Sequence, residues 1–269
     1  MSAVTRGGGA SRRRVPLADR RATGVLAPLV AAGVILGAWE LTGLWINRIL
    51  ISSPQGVISS LYDMARQGTI NGALWISVRE LYLGLAIGLV AGVVLGVLVG
   101  RYPLLDAIFS PFFSVANATP LNVLIPLLIL WVGISAQARV LFVVLISFFP
   151  VLLNTAGGLR NVSRGYVEVG QMLGLSEWRM LRSVILPGAM PYIFAGIRLG
   201  SALGVIGMIV GEMEVSNVGV GYLLNFYGEG FQTGDLLALV LIAALIGVLN
   251  VAVVRTVQKQ WFRWIDAAR

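Results

Sequence analysis

The feature that most restricts the fold of this chain is a series of long segments without charged side chains. No residue is charged from Leu81 to Gly100 or from Ala107 to Ala138. About 20 apolar residues suffice to cross the hydrocarbon core of a bilayer as a helix. Of the 269 residues, 57% are hydrophobic and 12% are charged, whereas soluble domains carry about 25% charged residues. This is too little polar surface for a water-soluble globule, so we predict an all-α protein embedded in a membrane.

Six apolar runs are long enough to be spans, at residues 23–45, 81–100, 112–132, 139–154, 187–210 and 236–254. We predict a transmembrane domain over 22–258, a flexible basic tail at 1–21 and a cytoplasmic tail at 259–269. Most of the 20 basic residues lie in the tails, at Arg101 or within 155–186, whereas residues 212–235 contain acids and no base. Cytoplasmic loops are enriched in Lys and Arg. We therefore expect a multi-pass protein of a bacterial inner membrane with both termini in the cytoplasm.

The residue types that the chain lacks exclude several kinds of chemistry. The absence of cysteine and histidine excludes disulfides, Cys/His metal sites and imidazole acid–base catalysis. The single lysine, Lys259, does not follow a glycine-rich turn as the lysine of a phosphate-binding loop does. We expect no catalysis, cofactor, metal site or nucleic-acid partner for this chain itself. If nucleotide hydrolysis drives the protein, another chain binds the nucleotide.

The second predicted span carries a glycine at every fourth position. The five glycines, Gly84, Gly88, Gly92, Gly96 and Gly100, fall along one side of a helix. Small residues at this spacing let two helix backbones approach closely in a membrane, where lipid removes the hydrophobic drive for association. We predict that another helix packs along this stripe.

Prolines interrupt the third predicted span, at Pro120 and Pro126. Broken or kinked helices at membrane depth are tolerated where they line a cavity. Thr119, Pro120 and Asn122 are therefore candidates for the lining of a solute path. The alternative role of their polar groups is hydrogen bonding between helices.

Residues 155–186 form the longest polar segment between predicted spans. The sequence predicts two short helices that meet at a corner. Gly174 can take the left-handed conformation that ends the first helix, and Ser176 can cap the second. Pro187 can stand at the start of the next span, where no amide hydrogen bond is lost. A compact corner outside the membrane suits docking against another protein.

This segment resembles the E-A-A-x3-G-x9-I-x-L-P signature of permeases of binding-protein-dependent ABC importers. Glu168 matches the glutamate, Gly174 the glycine, and residues 184–187 the final I-x-L-P, with Val184 for isoleucine. Val169 and Gly170 replace the two alanines. Further segments resemble the branch that imports sulfonates, taurine, nitrate and similar small anions. They are residues 52–54, 127–134, 148–155, 191–194 and 211–213.

The resemblance implies a type I ABC importer permease with six transmembrane helices and a cytoplasmic coupling helix. In that family the coupling helix sits in a cleft of a cytoplasmic ATPase subunit. The ATPase subunits bind Mg-ATP, and the closure of two of them switches the pore from inward-facing to outward-facing, which is alternating access. Solute is delivered by a periplasmic or lipid-anchored solute-binding protein. Two permease subunits form one pore, here expected as a homodimer, with a related second permease as the alternative.

Residues that the resemblance assigns to ATPase coupling lie around the corner: Glu168, Gly174, Leu175, Ser176 and Trp178. The strongest of these candidates is Glu168, an acid placed to meet a basic group of the ATPase. The alternative is a solvated helix charge, since most surface charges contribute little.

Two further features remain open between a functional and a structural role. Arg198 lies inside the fifth predicted span, where an arginine needs water, a carboxylate or the bundle interior. It is a candidate for the path of an anion, or a structural residue bonded to a neighbouring helix. The acids Glu212, Glu214 and Glu229 are expected in the outer loop, either to meet a solute-binding protein or as ordinary outer-face charge.

Two other functions are compatible with a polytopic chain. A self-sufficient secondary transporter would need buried titratable groups to couple an ion gradient, and apart from Arg198 the predicted inner spans are almost free of charge. A membrane scaffold without transport would need neither the corner nor the interrupted span. The sequence favours the importer permease over both.

Overall fold

The computed structural model describes residues 30–43 and 52–261, and all regular secondary structure within them is helical, as predicted. The predicted tail at 1–21 and most of the tail at 259–269 lie outside the described residues. The helices are α1 (Val30–Gly43), α2 (Pro54–Arg66), α3 (Thr69–Arg101), α4 (Pro103–Ala118), α5 (Ile125–Val132), α6 (Ala136–Arg160), α7 (Arg164–Met172), α8 (Glu177–Met180), α9 (Leu186–Val215), α10 (Val220–Glu229) and α11 (Thr233–Trp261). A 3₁₀ turn, Leu121–Leu124, precedes α5, and a π-helical segment, Leu181–Ile185, joins α8 to α9.

Four helices are long and apolar enough to cross a membrane within the described part of the chain: Thr69–Arg101, Ala136–Arg160, Glu177–Val215 and Thr233–Gln260. A fifth candidate is a pair of helices bent by 90° across the predicted third span. The first predicted span, 23–45, is described only over the short apolar helix α1. Four of the six predicted spans are thus unbroken helices.

The glycine stripe of α3 packs against α6, which confirms the prediction from its spacing. A Cβ atom at Gly84 would lie 2.6 Å from the Val143 Cβ, and one at Gly100 would lie 2.9 Å from the Ala156 Cα. Such distances mean that only glycine allows this approach. Because the stripe meets later residues of α6 as it advances, α3 and α6 run parallel.

Helix α9 completes a three-helix centre by running antiparallel to α3 and α6. A Cβ at Gly196 would lie 2.8 Å from the Asn154 Cβ, and one at Gly204 would lie 2.5 Å from the Leu85 side chain. Side chains of α10 and α11 join the same buried core, including Val220 and Leu239. We call the end of the bundle at Arg101 and Arg160 the knob end, because residues 164–180, described below as the knob, lie there. The end at Ala136 and Val215 is the far end.

The bent pair crosses the bundle from the knob end to the far end. Since α3 ends at one face and the parallel helix α6 begins at the other, residues 103–132 must span the distance between them. Asp106 of α4 forms an ion pair with Arg160 at the knob end, whereas Ile125 of α5 packs in a cluster with Phe142 at the far end. The pair is therefore a broken span and not a re-entrant loop.

Pro120 accounts for the break in this span. Thr119, the residue before it, is extended (φ −81°, ψ 127°), because a following proline disfavours the helical conformation. Pro126, also predicted as an interruption, stands in the first turn of α5, where the missing N–H costs nothing. The interruption predicted at Pro126 is therefore the start of α5, directly after the break at Thr119 and Pro120.

The predicted start of the fifth span, Pro187, lies in the first turn of α9, but the helix itself extends further back along the chain. Residues Glu177–Val215 form one continuous helix of 39 residues, roughly 58 Å long and far longer than a hydrocarbon core of about 30 Å. Just before the proline, the Leu186 N–H donates to the Leu181 carbonyl, a π-type bond that lets a helix pass an interruption in its ladder.

Two other boundaries differ from the prediction. Helix α3 begins at Thr69 and not near Leu81, because its charged residues are accommodated within the helix. The predicted outer loop at 212–235 is largely helical, since α9 continues to Val215 and α10 follows from Val220. In both places a charged residue borders the predicted span, but a paired or buried charge need not end a helix.

Candidate functional site

The corner predicted at Gly174 is present, and its hydrogen bonds form a complete helix stop. Gly174 has φ +69°. Its N–H donates to the Gln171 carbonyl at 2.9 Å, and the Leu175 N–H donates to the Gly170 carbonyl at 3.1 Å. These two bonds define a Schellman motif, which needs a left-handed residue at the position of Gly174. The backbone therefore specifies a glycine there.

We call residues 164–180 the knob, since α7 and α8 fold against each other across this corner. Met180 is 6% exposed and lies over Gly170, where a Cβ would approach its Cε to 2.6 Å. Gly170 thus leaves the space that an alanine of the family signature would fill. The departure from that signature has a packing reason.

The outer surface of the knob is apolar and exposed. Its large exposed side chains are Tyr166, Val169, Met172, Leu173 and Trp178, each more than half accessible and Met172 85% accessible. Glu168 is exposed among them. Clustered exposed apolar side chains of this kind mark contact surfaces for other proteins.

The remaining coupling candidates have different environments. Leu175 is half-buried beneath the corner, and Ser176 is exposed. The Ser176 carbonyl accepts from the Met180 N–H at 2.8 Å, but its side chain makes no capping bond to the described residues of α8. The predicted side-chain cap is therefore wrong, although Ser176 does occupy the N-cap position.

The break in the third span opens onto a cavity of about 230 Å³ at mid-depth of the bundle. Thr119 and Asn122 line it together with Leu203 and Ile206 of α9. No described residue lining this cavity is charged. Pro120 is exposed and shapes the break without lining the cavity. The structure thus brings two of the predicted path residues together with α9.

Arg198 does not lie at this cavity. It is exposed, and its Nη2 donates to the Gln258 Oε1 of α11 at 2.6 Å. Leu203 and Ile206 of α9 line the cavity, and Arg198 is not among its lining residues. Its hydrogen bond to α11 corresponds to the structural role that the sequence left open, a bond to a neighbouring helix. A role of Arg198 in the path of an anion stays a prediction.

A buried ion pair that the sequence analysis missed joins α3 to α6 toward the far end. Arg139 donates from Nε to the Glu80 Oε2 at 2.7 Å and from Nη2 to its Oε1 at 2.6 Å. Each residue is 6% exposed. A two-bond arginine–carboxylate pair fixes geometry as well as charge. The only signal in the sequence is a pair of opposite charges at the starts of two predicted spans, 81–100 and 139–154.

Glu212 is completely buried, so its predicted place on an outer loop is wrong. Its Oε2 accepts from the Ser77 hydroxyl at 2.9 Å and from the Gly221 N–H at 2.7 Å. The Ser77 oxygen in turn accepts from the Val220 N–H at 2.9 Å. The carboxylate holds the first turn of α10, where backbone donors favour negative charge. Glu214 and Glu229 are exposed, but they lie in the last turns of α9 and α10 and not in a loop.

Comparison with known proteins agrees with this geometry. Residues 88–266 match the family model described as the inner membrane component of binding-protein-dependent transport systems. A protein of Escherichia coli (strain K12) named as an aliphatic sulfonates transport permease is 34% identical, over 90% of this chain and 93% of its own length. The taurine transport system permease of the same organism is 28% identical, over 90% of this chain and 88% of its own.

A solved structure shares the fold. The crystal structure of an amino acid ABC transporter with histidines contains a chain that superposes with a TM-score of 0.60 at 16% identity, over 74% of this chain and 98% of that one. Together with the family match over most of the sequence, the broken span and the corner at Gly174 lead to one assignment. The chain belongs to the inner membrane components of binding-protein-dependent transport systems, and it is a multi-pass permease subunit of an ABC importer.

Proposed function

We propose that the knob docks onto a cytoplasmic ATPase subunit and that its movement is passed along the helix Glu177–Val215 to the cavity at the broken span. The observation that carries this proposal is the continuity of that helix. Glu177 belongs to the knob, and Leu203, about 39 Å further along at helical rise, lines the cavity. Because no loop intervenes, displacement of the knob moves the cavity wall.

The knob surface supports an ATPase as the partner. Apolar side chains such as Met172 and Leu173 would be buried in a protein cleft, and Glu168 lies beside them to pair with a basic group. An exposed pair contributes at most about 1 kcal/mol, so the apolar contact supplies most of the affinity. With the knob in the cytoplasm, the far end faces the solute-binding protein.

The solute we propose is a small sulfonate, and two copies of the chain form the path. Names of the relatives, which refer to aliphatic sulfonates and taurine, support the substrate class. An uncharged cavity with the Asn122 amide and the Thr119 hydroxyl suits brief passage of an anion, since a pore site must also release its ion. The outer side of the broken span exposes Phe112, Val123 and Leu130, which supports contact with a second copy.

The test is co-purification and transport with the ATPase and solute-binding subunits of the system. We expect Met172→Asp to reduce ATPase co-purification more than tenfold and to abolish ATP-dependent taurine uptake into proteoliposomes. Glu168→Gln should weaken the interaction by a few fold at most. The matched control is Glu214→Gln, an exposed glutamate at the far end. Full ATPase binding by the Met172 variant would refute the docking surface, and uptake without ATPase subunits would indicate a secondary transporter.

A further inference from the structure

A groove at the knob end is lined by Trp178 of the knob and otherwise by residues to which the proposed function gives no role. A cleft of about 510 Å³ lies between the last turns of α3 and the start of the helix Glu177–Val215. Its walls are aliphatic, with Val93, Val97 and Leu98 on one side and Leu181 and Leu186 on the other. The cleft therefore offers a hydrocarbon surface at the position where α3 leaves the membrane.

The groove continues toward the middle of the bundle. A second cavity of about 180 Å³ shares Val93 and Leu186 with the first and extends along α9 to Ile197. From Leu186 to Ile197 the trough covers about 16 Å at helical rise, close to half of the hydrocarbon thickness of about 30 Å. Its depth matches one leaflet of a bilayer.

The charged residues of the groove, and its tyrosine and tryptophan, are confined to the knob end, whereas the inner part is lined by aliphatic side chains, Met190 and Phe194. Arg101 and Arg182 line it there, beside Tyr102 and Trp178. The Arg101 guanidinium lies 6.0 Å from the Tyr102 ring centre. Tyr and Trp are enriched at the level of lipid headgroups, so the two arginines stand at the membrane surface with an apolar trough below them.

The arginines have spare capacity for an anion. Arg101 pairs with Glu177 at 3.3 Å, but the Glu177 side chain is 84% exposed, and such a pair contributes little. Arg182 forms no ion pair with any described residue. Arginine binds phosphate through two parallel hydrogen bonds, and basic pockets between transmembrane helices bind anionic headgroups.

We propose that this groove binds an anionic phospholipid, with its phosphate at Arg101 and Arg182 and one acyl chain in the trough. A partner helix would have to bring acidic side chains to the same level, whereas an anionic lipid supplies phosphate and hydrocarbon in the required order. Arg182 belongs to the π-helical segment that follows the knob, and Arg101 pairs with Glu177, the first residue of α8 in the knob. A bound lipid would therefore brace the knob against α3. This inference does not depend on the transported solute.

The experiment measures lipid binding to the full-length purified chain by native mass spectrometry. Phosphatidylglycerol and phosphatidylcholine with identical acyl chains are titrated separately. Each arginine near a membrane surface contributes about 1 kcal/mol, so Arg101→Gln with Arg182→Gln should lower phosphatidylglycerol affinity roughly 30-fold. The control Arg179→Gln removes an exposed arginine of α8 that does not line the groove and should leave binding unchanged.

A second variant protects the test against a folding defect. Val97→Trp fills the trough and keeps both arginines, and it should also abolish retention of phosphatidylglycerol while circular dichroism and gel filtration stay normal. Millimolar inorganic phosphate should not displace the lipid. Equal binding of phosphatidylcholine, unchanged binding by the double variant, or displacement by phosphate alone would each overturn the proposal. So would a lipid-free dimer that Val97→Trp converts to monomer, because the occupant would then be a second copy.

Discussion

Replacing Arg139 with methionine should destabilise this protein more than most single substitutions. Its guanidinium makes two bonds of 2.7 and 2.6 Å to Glu80, and both side chains are 8% exposed. Arg139→Met keeps the aliphatic volume but leaves the Glu80 carboxylate buried without its counter-charge. Removing one partner of a buried pair costs about 3–5 kcal/mol.

The double variant separates the value of the pair from the cost of breaking it. With Glu80→Met and Arg139→Met together, no charge is left uncompensated, and apolar replacement of a buried pair is often neutral or stabilising. We therefore expect the double variant to lie close to the wild type in stability. The coupling between the two sites should be of the order of the single-variant loss.

The assay is the apparent melting temperature of the purified chain in detergent, followed by intrinsic fluorescence. A loss of 3–5 kcal/mol corresponds to a decrease of roughly 6–20 °C for a chain of this length. Arg79→Met is the matched control, because Arg79 precedes Glu80 on the same helix but is exposed. A wild-type melting temperature for Arg139→Met, or a double variant as unstable as the sum of the singles, would refute the reasoning.

Further expectations concern the glycine stripe and the anchor of α10. Gly92→Ala should destabilise by about 1–3 kcal/mol through overpacking, since its Cβ would lie 2.8 Å from a valine Cβ of α6. Gly72→Ala, on the same helix with open space around it, should instead stabilise by about 0.5–1 kcal/mol, and equal melting shifts for the two would contradict this account. Ser77→Ala removes a donor to Glu212 and should cost about 1–3 kcal/mol. Hydrogen exchange at the start of α10 should accelerate in that variant and not in Ser59→Ala, whose hydroxyl bonds only locally; protection unchanged by Ser77→Ala would argue against the anchor.

Features with a local physical cause were predictable from the sequence. A run of apolar residues determines a span because only a helix satisfies its backbone in lipid. The glycine spacing predicted the α3–α6 contact because the helical period places every fourth residue on one side. The corner at Gly174 followed from the conformational freedom of glycine, and the break at Thr119 from the proline after it.

Interactions between distant residues were not predictable in this way. Glu80 and Arg139 are 59 positions apart, and Ser77 and Glu212 are 135 apart. Along the sequence each acid or base looked like the limit of a span, because an unpaired charge in lipid is costly. A partner on another helix removes that cost, but the sequence does not show which residue the partner is. For the same reason α3 was predicted too short and Glu212 was placed outside the bundle.

The sequence by itself determined that the chain is a helical membrane protein, that four of its apolar segments belong to span-length helices, and where the corner of the knob lies. Each of these depends on a run of apolar residues, on a helical period or on the conformation of one residue. Tertiary structure alone decided which charges are buried in pairs, that the knob and the wall of the cavity belong to one continuous helix, and that Arg101 and Arg182 meet at one groove. These properties depend on distances between helices that are remote along the chain. Such distances are set by how the helices pack together.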